Sequence, residues 1–407
     1  MGLLTRQPYW RELPVLACVF LDLLGFGMVV SDLQLRAQAL TPKGISPGAA
    51  IGVILASTFV IQTATSPAWG KAADRVGRKP VLLICTSLSA LAMFTYGIGG
   101  SLWLIFLSRL IAGFGGANVA VAQAMAGDLK SGHERTVALG RIGAAVSGGL
   151  IVGAASGGYL VHACGYRFMA FLASSLSALG VLAVAIFVSS SPRGRGGEEE
   201  AQSKPRGGLA LLEEYPTLRR YAGIAVVAWL SLATLEGTFA RLISRLFGYD
   251  QREFGLLFGY EALIGFAVQA WLLATLLRRF RETPLLRFSY LIQGFGLAWN
   301  PAAVLFVRYL PPLSILFLAS TGLAVGGGVA NPVVNGICSR LVPESRQGEL
   351  FGLLQSVRSV GFIVGPIVGG LLFDWWAPAP YLLAGAVCVA AAVLVPEGQP
   401  RSGHLGS

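Results

Sequence analysis

Gly70-Lys-Ala-Ala-Asp-Arg-Val-Gly-Arg-Lys-Pro80 holds four cations, one aspartate and two glycines. Long apolar runs flank it, residues 48–69 and 81–100. The stretch is too short for a domain and too charged for a bilayer interior. It reads as a tight turn between two membrane helices, on the side that positive charge marks as cytoplasmic. The plain reading is a basic loop that only fixes orientation. The sharper one is a hinge, in which Gly70 and Gly77 allow close approach or positive φ and Asp74 pairs with nearby cations.

The whole chain has the composition such a turn requires. Of 407 residues 54% are hydrophobic and 13% charged, with a mean hydropathy of +0.67. A soluble chain carries about a quarter charged residues, and one membrane pass takes about 20 apolar ones. The fold class is therefore all-α integral membrane. Twelve runs fit as spans: 13–35, 48–69, 81–100, 102–127, 137–160, 166–190, 221–246, 254–277, 285–307, 311–338, 350–373 and 378–396. With both termini inside, 22 of the 31 Lys and Arg fall on inner segments and six, Arg36 among them, on outer ones. Arg109, Arg241 and Arg358 lie within spans and away from their ends; Arg141, Arg167, Arg245 and Arg287, at span ends, are counted with the adjoining segments. That split sets both termini in the cytoplasm and accounts for the net charge of +11 without a nucleic-acid partner.

The spans divide into two bundles of six, residues 1–190 and 221–397. A Gly-, Ser- and Pro-rich cytoplasmic linker, 191–220, joins them, and 398–407 reads as a disordered tail. The halves echo each other: Gly149, Gly153, Gly157 and Gly158 in span five match Gly361, Gly365, Gly369 and Gly370 in span eleven. Repeated halves are typical of transporters. The five cysteines form no Cys/His cluster, so no metal is expected. No phosphate-binding glycine loop or hydrolase elbow occurs, so neither a cofactor nor an enzyme is expected.

Charges inside a membrane are costly and usually face a bundle interior. Asp22 falls ~13 Å from the inner end of span one. Arg109 enters span four from outside to a similar depth, close enough to meet it. The pair reads either as a proton-coupling site or as a structural ion pair. Glu236 in span seven and Glu261 in span eight reach similar depths in the outer half. They form a second proton or cation site, or else one of them pairs with Arg241. Arg358 in span eleven holds an anionic group or pairs with a carboxylate. Gln62, Asn118, Gln123, Gln293, Asn331 and Asn335 are candidate polar linings. Phe26, Tyr260 and Trp299 are candidate apolar walls of a drug-sized cavity.

In order along the chain, 70–80, Leu107-Ser-Arg109-Leu-Ile-Ala-Gly113, Ala126-Gly-Asp128, Asn331-Pro332, Gln347-Gly-Glu-Leu-Phe-Gly352 and Gly365-Pro366 resemble the signatures of the major facilitator superfamily. Within it they resemble the twelve-span drug:proton antiporters of the tetracycline-efflux type. The resemblance implies two pseudo-symmetric six-helix bundles in the inner membrane. It implies a monomer that exports an amphipathic small molecule against protons by alternating access. It also makes Gly70, Asp74, Arg75, Gly77, Arg78 and Asp128 a conformational latch. In that latch Asp74 faces Arg78 and the N-terminus of span eleven, and Arg75 faces the Asp128 region. Two departures keep other readings open. Ala154 stands where that group has Pro after its second span-five Gly, and Ser31-Asp32-Leu33 replaces span-one prolines. A facilitator or lysolipid-type transporter without strict proton exchange fits these departures, and a non-transporting membrane sensor is the third reading.

Overall fold

The computed structural model describes residues 13–129, 132–188, 208–306, 308–343 and 346–396. The side chains of Asp74, 126–136, 208–209 and 348 lie outside that description, and so do the linker residues 189–207 and the tail from 397. No strand occurs among the described residues. Nine helical segments among them are long and apolar enough to cross a membrane. One of these, α6 (Gly132–Phe187), reverses at Gly165, where φ of +81° is open to glycine and strained for other residues. It therefore makes two passes, as the sequence divided it. α11 (Glu282–Ala302) and the short apolar α14 (Ala379–Leu394) stand where the sequence places spans nine and twelve.

α1 (Leu13–Leu40) runs five residues past the expected end of span one. Arg36, expected on an outer segment, is consequently buried on this helix. It donates to the Gly99 carbonyl and stacks on the Tyr166 ring. α2 (Pro47–Val76) likewise continues through Pro67 and Gly70, and α3 (Arg78–Ile98) starts two residues after it ends. Gly70 is helical, and a Cβ there would meet nothing within 4 Å, so neither positive φ nor close approach requires a glycine at that place. The turn is made by Gly77 alone, at φ +96°. Span four is broken: α4 (Leu102–Gly115) ends in a glycine run and α5 (Asn118–Leu129) restarts after Gly116 and Ala117.

Span seven is α8 (Pro216–Phe247). Span eight comprises α9 (Gln251–Ala267), a π-turn over Val268–Leu272 and α10 (Leu273–Arg279). Spans ten and eleven are α12 (Pro312–Leu341) and α13 (Gln347–Trp375). The expected linker contains α7 and the start of α8. α7 (Gly208–Glu214) buries Leu211 among Leu218, Tyr221, Leu286 and Leu350. Leu211 and the half-buried Leu212 drive this, because they have a core to enter.

Packing groups the chain into two compact units. One takes residues 1–204, 237–262 and 366–374; the other takes 205–236, 263–365 and 375–407. In the first, Gly149, Gly153 and Gly157 of α6 face the backbone of α1 at Phe20, Leu24 and Met28, closer than any Cβ permits. In the second, Gly361 and Gly365 of α13 meet α8 at Trp229 and Leu230 in the same way. Close backbone approach replaces the hydrophobic effect as the source of helix association in lipid. The repeat extends to the helix ends. Lys79, at the start of α3, donates to the Ala185 and Val188 carbonyls at the end of α6 (3.0 and 2.5 Å). Arg287, near the start of α11, donates to the Val395 carbonyl just after α14 (2.8 Å). Each cation satisfies carbonyls that a helix C-terminus leaves free.

Candidate functional site

The glycine run of span four sets up the first cluster. Gly113 lies against Thr58 and Ile61 of α2, and Gly115 against Cys85 and Leu88 of α3. A chain of glycines gains this closeness but holds a helix poorly. Where it breaks, Gln62 donates to the freed Gly116 carbonyl (2.7 Å). Gln62 is thus engaged in tying α2 to the break. Two residues on, Asn118 opens α5 and is turned toward α1. Its side-chain amide donates to Asp22 Oδ2, and its Oδ1 accepts from the Val119 N–H (2.6 Å). Ser177 of α6 donates to Asp22 Oδ1 (2.9 Å). Asp22 is buried, and its hydrogen-bond partners on these helices are neutral.

Arg109 does not meet Asp22. It is buried against Ser108 Oγ (3.4 Å) and lies 5.8 Å from the centre of the Tyr96 ring. The physical reason is register. Asn118 is level with Asp22, and Arg109 stands nine residues, or ~13 Å, farther along the span. The carboxylate near that level is Asp32, ten residues after Asp22 on α1. Asp32 is also buried, accepting from Tyr96 Oη (2.8 Å) and from Gln251 Nε2 at the start of α9 (3.1 Å). The sequence marks Asp32 only as a departure from span-one prolines and not as a site residue, although a second carboxylate in one apolar run is a visible signal.

The second unit holds Glu236 and Arg358. Glu236 is half-buried on α8, and the same unit carries Arg358 on α13. Its exposed guanidinium is flanked by Trp229 and Phe362, 4.9 and 5.3 Å from the ring centres. Gln293 is buried on α11, and Trp299 stacks on Phe295 and Phe306 at 5.1 and 4.9 Å. Asn331 is half-buried and Asn335 exposed, both on α12. In the first unit Phe26, Tyr260 and Glu261 are half-buried and Gln123 is exposed. Arg241 pairs with Asp374 (2.6 Å). The latch side chains Asp74 and Asp128 lie outside the described residues, and Arg75 is exposed.

Residues 15–306 and 222–405 match the profile of the Major Facilitator Superfamily. The chain belongs to that superfamily. It is similar to Multidrug resistance protein 1 of Bacillus subtilis, 25% identical over 96% of each chain. It is similar also to the class D tetracycline resistance protein of Salmonella ordonez, 26% identical over 88% of each. Its fold is that of the nucleoside transporter NupG, with a TM-score of 0.73 at 15% identity, covering 94% of this chain and 97% of that one. This is a major facilitator membrane transporter, not an enzyme.

Proposed function

We propose that this transporter exports an amphipathic, drug-sized molecule in exchange for protons, by alternating access. In this reading it sits as a monomer in the inner membrane with both termini in the cytoplasm. Bundles 1–190 and 221–397 are the two repeats, joined by 191–220 and followed by the tail 398–407. Asp22 carries the reading: a buried carboxylate in a membrane helix, held by the neutral donors Asn118 and Ser177. A charge in that place is costly unless water or a cation reaches it. Taking a proton removes the cost, and releasing it requires the surroundings of Asp22 to open. That is the coupling an antiporter needs. Similarity to multidrug and tetracycline resistance proteins supports export of a drug-like cargo.

Glu236, with Arg358 in the same unit, and Glu261 are proposed as further proton-linked groups. Phe26, Gln123, Tyr260, Gln293, Trp299, Asn331 and Asn335 are proposed to contact cargo, with Gln62 and Asn118 holding the cavity wall. Proteoliposomes with an imposed pH gradient test the reading, using ethidium as cargo and a trapped pH dye as reporter. Wild-type protein should move protons when ethidium is added. Asp22→Asn, inserted to the same level, should lose that flux. Undiminished proton flux in Asp22→Asn would overturn the assignment.

A second reading, a facilitator or lysolipid-type transporter, is favoured by Ala154. That residue is buried where Gly27 of α1 and Gly255 of α9 both approach its backbone. Cargo equilibration independent of the gradient, for a lysophospholipid in the same vesicles, would favour it. Binding without any flux would favour a sensor.

A further inference from the structure

At the end of α2 opposite the 70–80 turn, the chain makes a second set of contacts that resembles a latch. Ser46 caps α2, accepting from the Ala49 N–H (3.1 Å), and Pro47 fixes the first helical residue. The capping hydroxyl in turn donates to Asp374 Oδ2, at the last turn of α13. The same carboxylate oxygen accepts from the Gly48 N–H (2.8 Å). Asp374 Oδ1 pairs with Arg241 Nη2 of α8 (2.6 Å). Arg241 is buried over the Phe373 ring and donates through Nε to Gln38 of α1 (2.7 Å). Around this carboxylate the backbones meet directly. Gly48 faces Gly370, and Gly52 faces Pro366 and Ile367, with no room for a Cβ at either place.

A pseudo-equivalent arrangement joins spans five and eight. Gly158 of α6 touches the Gln251 backbone, and Gly255 of α9 touches Ala154. Asp250 caps α9 there and pairs with His162 of α6 (2.8 Å). One helix N-terminus, one carboxylate and one glycine crossing therefore occur twice at this end.

We propose that Asp374 is a positioning residue of the transport cycle: by capping α2 and binding Arg241 it holds this end of the helices closed, and its release is what opens it. It is the counterpart, ~40 Å away along α2, of the role that Asp74 is implied to play toward the N-terminus of span eleven. A carboxylate sharing one helix N-terminus and one guanidinium makes charge-assisted bonds, stronger than neutral ones, and they break together.

The test needs no cargo, so its failure is separate from failure of the proton-exchange reading. Ala240 is fully buried beside Gln34, which accepts from its N–H (3.1 Å). In full-length protein carrying Cys164→Ser and Ala240→Cys, alkylation by N-ethylmaleimide is followed at residue 240 by peptide mass spectrometry. Asp374→Ala should raise the labelling rate by about tenfold or more, the scale of one lost charge-assisted bond. Asp374→Glu should keep it near the parent rate. Should Asp374→Ala not fold, Ser46→Ala with Arg241→Gln removes two of its three donors, leaving the Gly48 N–H, and should raise the rate in the same direction. Equal labelling in the parent and whichever of these variants folds would overturn the proposal, as would faster labelling in Asp374→Glu to match Asp374→Ala.

Discussion

A single methyl group decides how α1 and α6 pack. A Cβ at Gly153 would overlap the Leu24 carbonyl, whereas one at Gly143 of the same helix would meet nothing within 4 Å. Gly153→Ala should destabilise the protein by about 1–3 kcal/mol, the usual cost of overpacking. Gly143→Ala should stay within about 0.5 kcal/mol of the parent. Thermal unfolding in detergent, both variants side by side, measures the contrast. Asp22 was legible in the sequence because a charge inside an apolar run is conspicuous. Its partner was not. Depth counted from span ends carries an error of about two to three helical turns, and that error separates Arg109 from Asn118. Nor can hydropathy show that span four breaks at Gly116, the break that brings Asn118 to Asp22.

At the scale of the element, the clearest device is the start of α9. Asp250 Oδ1 accepts from the Arg252 N–H (2.7 Å), and Glu253 Oε2 accepts from the Asp250 N–H (3.0 Å), a capping box. Partial burial alone would raise the Asp250 carboxyl. The Arg252 N–H and the His162 and Glu253 interactions outweigh it and hold the group below the usual carboxylate range. A depressed carboxyl stabilises the folded state above its unfolded pKa of about 4, and that stability is lost as pH falls through the lower folded value. Asp250→Ala should therefore cost about 1 kcal/mol at pH 7, with a smaller difference from the parent below about pH 4. Melting curves of both proteins at pH 7 and pH 3 give the answer. An equal difference at both pH values would remove the carboxylate from the explanation. The spans themselves were readable, since twenty apolar residues have few other fates. The helical extensions over 36–40 and 70–76 were not, because charged residues end a hydropathy run before they end a helix. The π-turn at Val268–Leu272 left no mark, since it changes hydrogen bonding without changing composition.

At the scale of the whole molecule, devices that recur among the described residues predict a balance. The glycine stripes on α6 and α13 and the capping cations Lys79 and Arg287 are the parts the sequence halves could show or almost show. Asp74 and Asp374 stand at opposite ends of α2, one implied by resemblance and one by its contacts. If each holds one end closed, each stabilises one of two alternating states, and a substitution at either shifts the population toward the other. Asp74→Asn should leave ethidium affinity close to wild type while lowering turnover severalfold, because the cycle then waits in one state. Asp374→Asn should do the same from the opposite side. The double variant loses both biases, so the two states return toward their original ratio and turnover should exceed that of either single variant. This sign is what separates a pair of opposed latches from two independent structural contacts, whose losses would multiply. Ethidium flux in proteoliposomes under one fixed pH gradient measures all four proteins. A double variant slower than both singles would show that the two carboxylates do not oppose each other.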